Sequence, residues 1–248
     1  MFALVYLLLK SSQLKQITAL PIPQIKRQQQ ISTPQKESPN SKTRATSAPS
    51  PIPTPQIQGI GALHINIFAT VFWVGEEASN ENNFISNERS FWDANWEENY
   101  GGYDDPEERK GFHPKEFTPK ENPFYFALPY ADFESGNKLK ENARKIPWFT
   151  NNSSSGSIVK NRWIAVGANG NICYAQWQDV GPAETDDFEY VFGSASPKNN
   201  FSGLDVSPAT RDCLEMGDRQ KVWWQFVKDS DVPDGPWKKI VTTSGINW

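Results

Sequence analysis

The chain has 248 residues, a net charge of −4 and 13% aromatic residues, ten of them Trp. That suffices for one domain of ordinary size with long loops, or for one domain with a tail. The mild acidity leaves no footprint for nucleic acid, and no apolar run is long enough for a stable membrane span.

The first feature in chain order is the apolar run Phe2 to Leu9, closed by Lys10. Its length suits the h-region of a signal peptide, although a basic n-region is missing. A truncated signal peptide over residues 1–10 is the preferred reading, and a merely apolar N-terminus is the other. Residues 11–59 are rich in Pro, Gln and Ser, with eight Pro between Pro21 and Pro55. Such a stretch buries too little apolar surface to fold and reads as a disordered, extended linker. The folded domain is expected over 60–248, with a long insertion around 76–160.

Ile65 to Val74 is the first β-prone run. The segment after it is too long to lack structure of its own. Ser86 to Asn99 reads as a short helix with Trp92 and Trp96 on one side. These rings suit packing against the rest of the domain; a sugar-stacking platform is the sharper alternative. Tyr100 to Glu108 is an acidic turn without the alternating oxygens of a calcium loop. Asp93 and Asp104 are candidates for a carboxylate facing Asp179 across a groove. Phe124 to Pro129 reads as a strand, and Asn151 to Gly156 as an exposed loop tip.

Trp163 to Gly167 and Ile172 to Val180 read as a hairpin turned by Asn169-Gly170. Strand alternation puts Cys173, Ala175, Trp177 and Asp179 on one face, the more apolar and hence the inward one. Asp179 then ends an inward row at Gly181-Pro182. Partial desolvation there would raise its pKa and suit a general acid. The competing reading is a cap on the turn at Val180-Gly181-Pro182. Ser207 reads as a helix N-cap followed by Pro208, with Gly217 as the stop. Asp205 can tie the incoming strand to that turn. Val222 to Val227 and Lys239 to Thr243 complete the expected strands. Cys173 and Cys213 fit a disulfide in an exported protein and fit two buried free thiols equally well. No metal or cofactor is expected: His64 and His113 stand apart, and no Cys or His pair has zinc spacing.

The order Asn169-Gly170, Gln178-Asp179-Val180-Gly181-Pro182, then Leu204-Asp205-Val206-Ser207-Pro208-Ala209 resembles the barrel of the rare lipoprotein A family. Ala69-Thr70-Val71-Phe72-Trp73-Val74-Gly75-Glu76 is similar to that family's first strand and its Ser-Gly-Glu. The resemblance covers about half of the chain, in three pieces. It implies a mainly β fold: a six-stranded double-psi β-barrel with long loop insertions and short helices. It also implies a monomer in the cell envelope or secreted, engaging peptidoglycan or another polysaccharide. Catalytic members are lytic transglycosylases using a His, a Glu and an Asp. Asp179 takes the acid position and Glu76 (or Glu77) the assisting one. Trp177 and Trp92 would line a sugar groove, with Asp93 and Asp104 beside it. Two departures stand out. Val180 replaces the family's Arg, and Phe126-Ala127-Leu128-Pro129 carries no His where the family has one. Expansin-like carbohydrate-binding barrels and protein-binding, plant-defence-related barrels are the non-catalytic alternatives.

Overall fold

A computed structural model describes residues 57–80, 82, 84–134, 138–150 and 156–245. The signal-peptide assignment, most of the linker and nearly all of the Asn151–Gly156 loop tip lie outside them. Six strands close into a barrel: β1 (Gly59–Val71), β2 (Tyr125–Leu128), β3 (Trp163–Ala168), β4 (Asn171–Val180), β5 (Leu204–Val206) and β6 (Arg219–Val227). Their order around the wall is β1-β6-β3-β4-β2-β5 and back to β1. β1 and β5 are parallel, as are β2 and β4; the other neighbours are antiparallel. Shifting every strand number by three reproduces the same order and the same directions. The wall is therefore two interlocked three-stranded halves, the double-psi arrangement.

Closure removes both sheet edges. The interior is filled from alternate positions, among them Ala69, Phe126, Val166, Ala175, Trp177, Val206, Trp224 and Phe226. The inward phase of Cys173, Ala175 and Trp177 on β4 is as the alternation predicts. The tight turn is there too, with Asn169 and Gly170 both at positive φ. Among the described residues, three short α-helices flank the wall: α1 (Trp96–Tyr100), α2 (Phe188–Val191) and α3 (Pro208–Leu214). Ser207 caps α3 by accepting from the Thr210 N–H, and Glu215 in the left-handed region ends it, two residues before Gly217. A disulfide joins Cys173 on β4 to Cys213 on α3.

Three expectations are corrected. β1 begins at Gly59 and stops at Val71, so Phe72 to Val74 already belong to the insertion. Ser86–Asn99 is not one helix: only Trp96–Tyr100 winds, and Trp92 and Trp96 enter different clusters. The physical reason is that the Phe91 N–H is drawn to the Asp179 carboxylate at 2.7 Å instead of to a helical carbonyl. Lys239 to Thr243 forms no strand. The Gln176 side chain holds that segment in place of a ladder. Its Oε1 accepts from the Thr242 N–H at 2.8 Å, and its Nε2 donates to the Thr242 carbonyl at 3.1 Å.

Candidate active site

The site is set by a register change. On β2 and β4, Phe126 pairs with Trp177, but Ala127 pairs with Asp179, leaving Gln178 as an extra residue. Such a bulge re-aims the side chains that follow it. Trp177 stays inward with Phe126, while Asp179 moves onto the outward row of Ala127. Ala127 pairs on its other side with Asp205 of β5, and Asp205 pairs with Thr70 of β1. Paired residues share a face of the sheet. Thr70, Asp205, Ala127 and Asp179 therefore form one transverse row across four neighbouring strands. Asp179 is thus not the last member of the inward row that unbroken alternation predicts.

Each carboxylate has defined partners. Asp179 is 8% exposed. Its Oδ1 accepts from the Phe91 N–H at 2.7 Å and from the Val180 N–H at 2.8 Å. Burial pushes its pKa up to about 7; the two N–H groups pull it down, and the charge of Asp205 adds to the rise. With both N–H bonds on Oδ1, the proton belongs on Oδ2. Asp205 is half-buried, and its Oδ1 accepts from the Thr70 hydroxyl. Burial pushes Asp205 to about 7 as well; the Thr70 bond opposes this and the charge of Glu76 adds to it. Gly181 lies beside Asp205: a Cβ built on it would stand 3.7 Å from Asp205 Oδ2.

Glu76 stands at the head of the insertion. Its Oε2 accepts from Asn87 Nδ2 at 2.7 Å, and burial raises its pKa. Its charge acts on Asp205 from a distance, adding to the rise there. Next to it, Trp73 Nε1 donates to the Tyr103 hydroxyl at 3.0 Å. Tyr103 and Phe91 are both exposed, and Trp73 is half-buried. Of the three, Phe91 is tied to the acid row, through its N–H on Asp179.

The other expected residues sit elsewhere. Trp177 has no exposed surface; it lies among Phe126, Phe226 and Trp92, with its Nε1 donating to the Asp179 carbonyl at 2.7 Å. It supports Asp179 from beneath and offers a ligand no face. Asp104 is fully buried, ion-paired to Arg109 and accepting from the Tyr125 hydroxyl at 2.8 Å. It anchors the insertion, with its carboxylate taken up by Arg109 and Tyr125. Asp93 accepts from the Asn95 N–H and from Asn99 Nδ2, holding the turn into α1. Trp92 is half-buried, edge-on to Trp177, with its Nε1 3.4 Å from Asp132 Oδ1. Thr70, Asp205, Trp73, Tyr103 and Phe91 were missing from the expected set. Thr70, Asp205 and Trp73 stand inside the family-like motifs. Nothing in the sequence signalled Phe91 or Tyr103.

No protein-family model matches the chain, and no curated protein matches it. The site must therefore be read from its own chemistry. Two carboxyls with pKa values near 7, one of them accepting from a hydroxyl, suit proton transfer near neutral pH. Among the described residues, no group of His, Cys, Asp and Glu could hold a metal ion.

Proposed function

We propose that this is an exported cell-envelope protein whose barrel binds the glycan strands of peptidoglycan and cleaves them as a lytic transglycosylase. The observation that carries the reading is the row of Asp179 and Asp205 with Thr70, both acids held near pH 7 by burial. A carboxyl poised there is protonated for a large share of the time at neutral pH and donates readily. Asp179 gives its Oδ2 proton to the glycosidic oxygen as the bond from that oxygen to the anomeric carbon breaks. The resulting carboxylate takes the proton from the sugar's 6-hydroxyl, whose oxygen closes onto the anomeric carbon. The product is a 1,6-anhydro sugar, and no water is consumed. Asp205 and Glu76 place negative charge near the cationic transition state. Trp73, Tyr103 and Phe91 supply stacking faces for pyranose rings. The Cys173–Cys213 disulfide fits an oxidising compartment and so supports export.

A second reading has its own observation. Asp179 is nearly covered, and its Oδ1 bonds bind the β4 turn to the insertion. On that reading the barrel binds wall glycan without cutting it. The test incubates full-length protein with purified sacculi, wild type beside Asp179→Asn, followed by muropeptide analysis. Anhydro-muropeptides from wild type alone establish the lytic reaction. Sedimentation with sacculi and no products from either establishes the binding barrel. Protein that stays wholly in the supernatant, with no products, removes both.

A further inference from the structure

The outward row of β6 carries a strip of cations and rings. Val222, Trp224 and Phe226 point into the barrel, so Arg219, Lys221 and Trp223 point away from it. Arg219 pairs with Thr70 of β1, and Lys221 pairs with Phe68, which puts the strip one strand over from the acid row. Arg219 and Lys221 are both exposed.

The cations are held in place by rings. The Arg219 guanidinium lies 3.6 Å from the centroid of the Phe68 ring and 4.6 Å from that of Phe201. Arg219 Nε donates to the Phe201 carbonyl at 2.9 Å. Lys221 Nζ sits 5.3 Å from the Phe68 centroid. A stacked guanidinium keeps its in-plane N–H groups for an anion and can grip a carboxylate with two parallel bonds. Among the described residues, neither Arg219 nor Lys221 forms an ion pair. Phe68 thus positions both charges before any anion arrives, which lowers the entropy cost of binding.

A ring stands at each end of the strip. Phe201 is 63% exposed. Trp223 is half-buried and pairs with Gly167 of β3. A Cβ built on Gly167 would run into Cε2, Cζ2 and Nε1 of that indole together, so the ring lies face-on to the glycine. One face of Trp223 rests on the sheet and the other points away from it. Successive outward residues of a strand stand about 7 Å apart. The order ring, cation, cation, ring along an extended line suits a linear chain of sugar rings that carry carboxylates.

We propose that this face of β6 binds an acidic polysaccharide of the uronic acid type, with carboxylates at Arg219 and Lys221 and pyranose rings on Phe201 and Trp223. The proposal goes beyond the reading of the acid row and holds whether or not that row cuts glycan.

The test titrates the full-length, disulfide-intact protein with hexagalacturonate and with its neutral methyl ester, following Trp emission and the indole N–H resonances. Saturable binding of hexagalacturonate is expected in the roughly millimolar range or tighter, with the Trp223 indole signal shifting and the affinity falling as salt is added. The ester should bind at least about tenfold more weakly, as expected for loss of charge-assisted hydrogen bonds. Arg219→Gln should remove most of that preference, and Phe201→Ser should weaken hexagalacturonate binding by roughly two- to tenfold. Equal binding of acid and ester, or no saturation by either, overturns the proposal. Hexaglutamate that binds as tightly as hexagalacturonate also overturns it, because the face would then read charge without sugar. Should a variant fail to fold, the wild-type ratios of acid to ester and of saccharide to peptide still decide.

Discussion

Asp179 and His64 are buried groups of opposite kind, and they tilt stability in opposite directions. Folded Asp179 keeps its proton up to about pH 7, whereas an unfolded Asp releases it near about 3.9. Between those values the folded state binds more protons, so stability falls as pH rises, and the loss is complete above about 7. Asp179→Asn removes that penalty while keeping an oxygen for the Phe91 and Val180 N–H groups. The variant should therefore exceed wild type at pH 8 by on the order of 2 kcal/mol and match it at pH 4. Urea titrations at the two pH values check this; a variant weaker than wild type at pH 8 would mean the charged hydrogen bonds outweigh burial. A falling slope remains in the variant, because Asp205 is shifted the same way. His64 is stacked on Trp224 at 3.9 Å, its Nε2 without a hydrogen-bond partner among the described residues, and burial pushes it down to about 4. Here the unfolded state binds more protons below about 6.5. Stability is lost as pH falls from there through about 4, by up to roughly 3 kcal/mol. His64→Phe keeps the stacking and should flatten the acid limb in the same titrations.

At the scale of elements, α3 shows what pattern reading captures. Its cap, its Pro at the first turn and its strand-to-helix entry were all legible in Val206-Ser207-Pro208. What spacing could not give is the second duty of Ser207. Its Oγ also accepts from the Tyr125 N–H at 3.2 Å, and its own N–H donates to the Tyr125 carbonyl at 2.9 Å. Ser207→Ala thus orphans two buried donors and should cost about 2 kcal/mol, at the upper end for a cap, measured by denaturant unfolding. The disulfide was an open question in sequence because pairing depends on Cα geometry. It ties α3 to β4 across a separation of 40 residues. Closing a loop of that length in the unfolded chain is worth about 4 kcal/mol in the chain-entropy model. Cys173→Ala/Cys213→Ala should therefore lower the melting temperature by about ten degrees or more. A drop of only a degree or two would show that the reduced chain stays structured there. The bulge at Gln178 was not legible at all. Alternation is a local rule, and a bulge is imposed by the partner strand, here by Ala127 meeting Asp179.

Over the whole molecule, the barrel could be read from short motifs because each lies at a junction that the double-psi wall repeats. The insertion could not be read, since its order comes from tertiary anchors and not from periodicity. Asp104 joins it to Arg109 and Tyr125, while Phe72, Trp96, Tyr100 and Tyr125 pack as a separate cluster against the wall. A polar link from it to the acid row is the Phe91 N–H on Asp179. That bond favours the ionised carboxylate, so it holds the pKa of Asp179 below what burial alone would give. It also lays the insertion over the acid. Phe91→Pro deletes the donor and one of the proposed stacking rings, so the pH of the alkaline limb, and not the rate itself, is the readout. The Asp179 pKa should then rise by roughly half to one unit, so proton donation should persist to higher pH. In the rate of anhydro-muropeptide release, activity should fall on the alkaline side as Asp179 loses its proton, near pH 7 in wild type and higher in Phe91→Pro. An alkaline limb that stays at the same pH would mean that the insertion does not tune the acid. A limb moving to lower pH would mean that Phe91 shields Asp179 from solvent more than its N–H stabilises the charge.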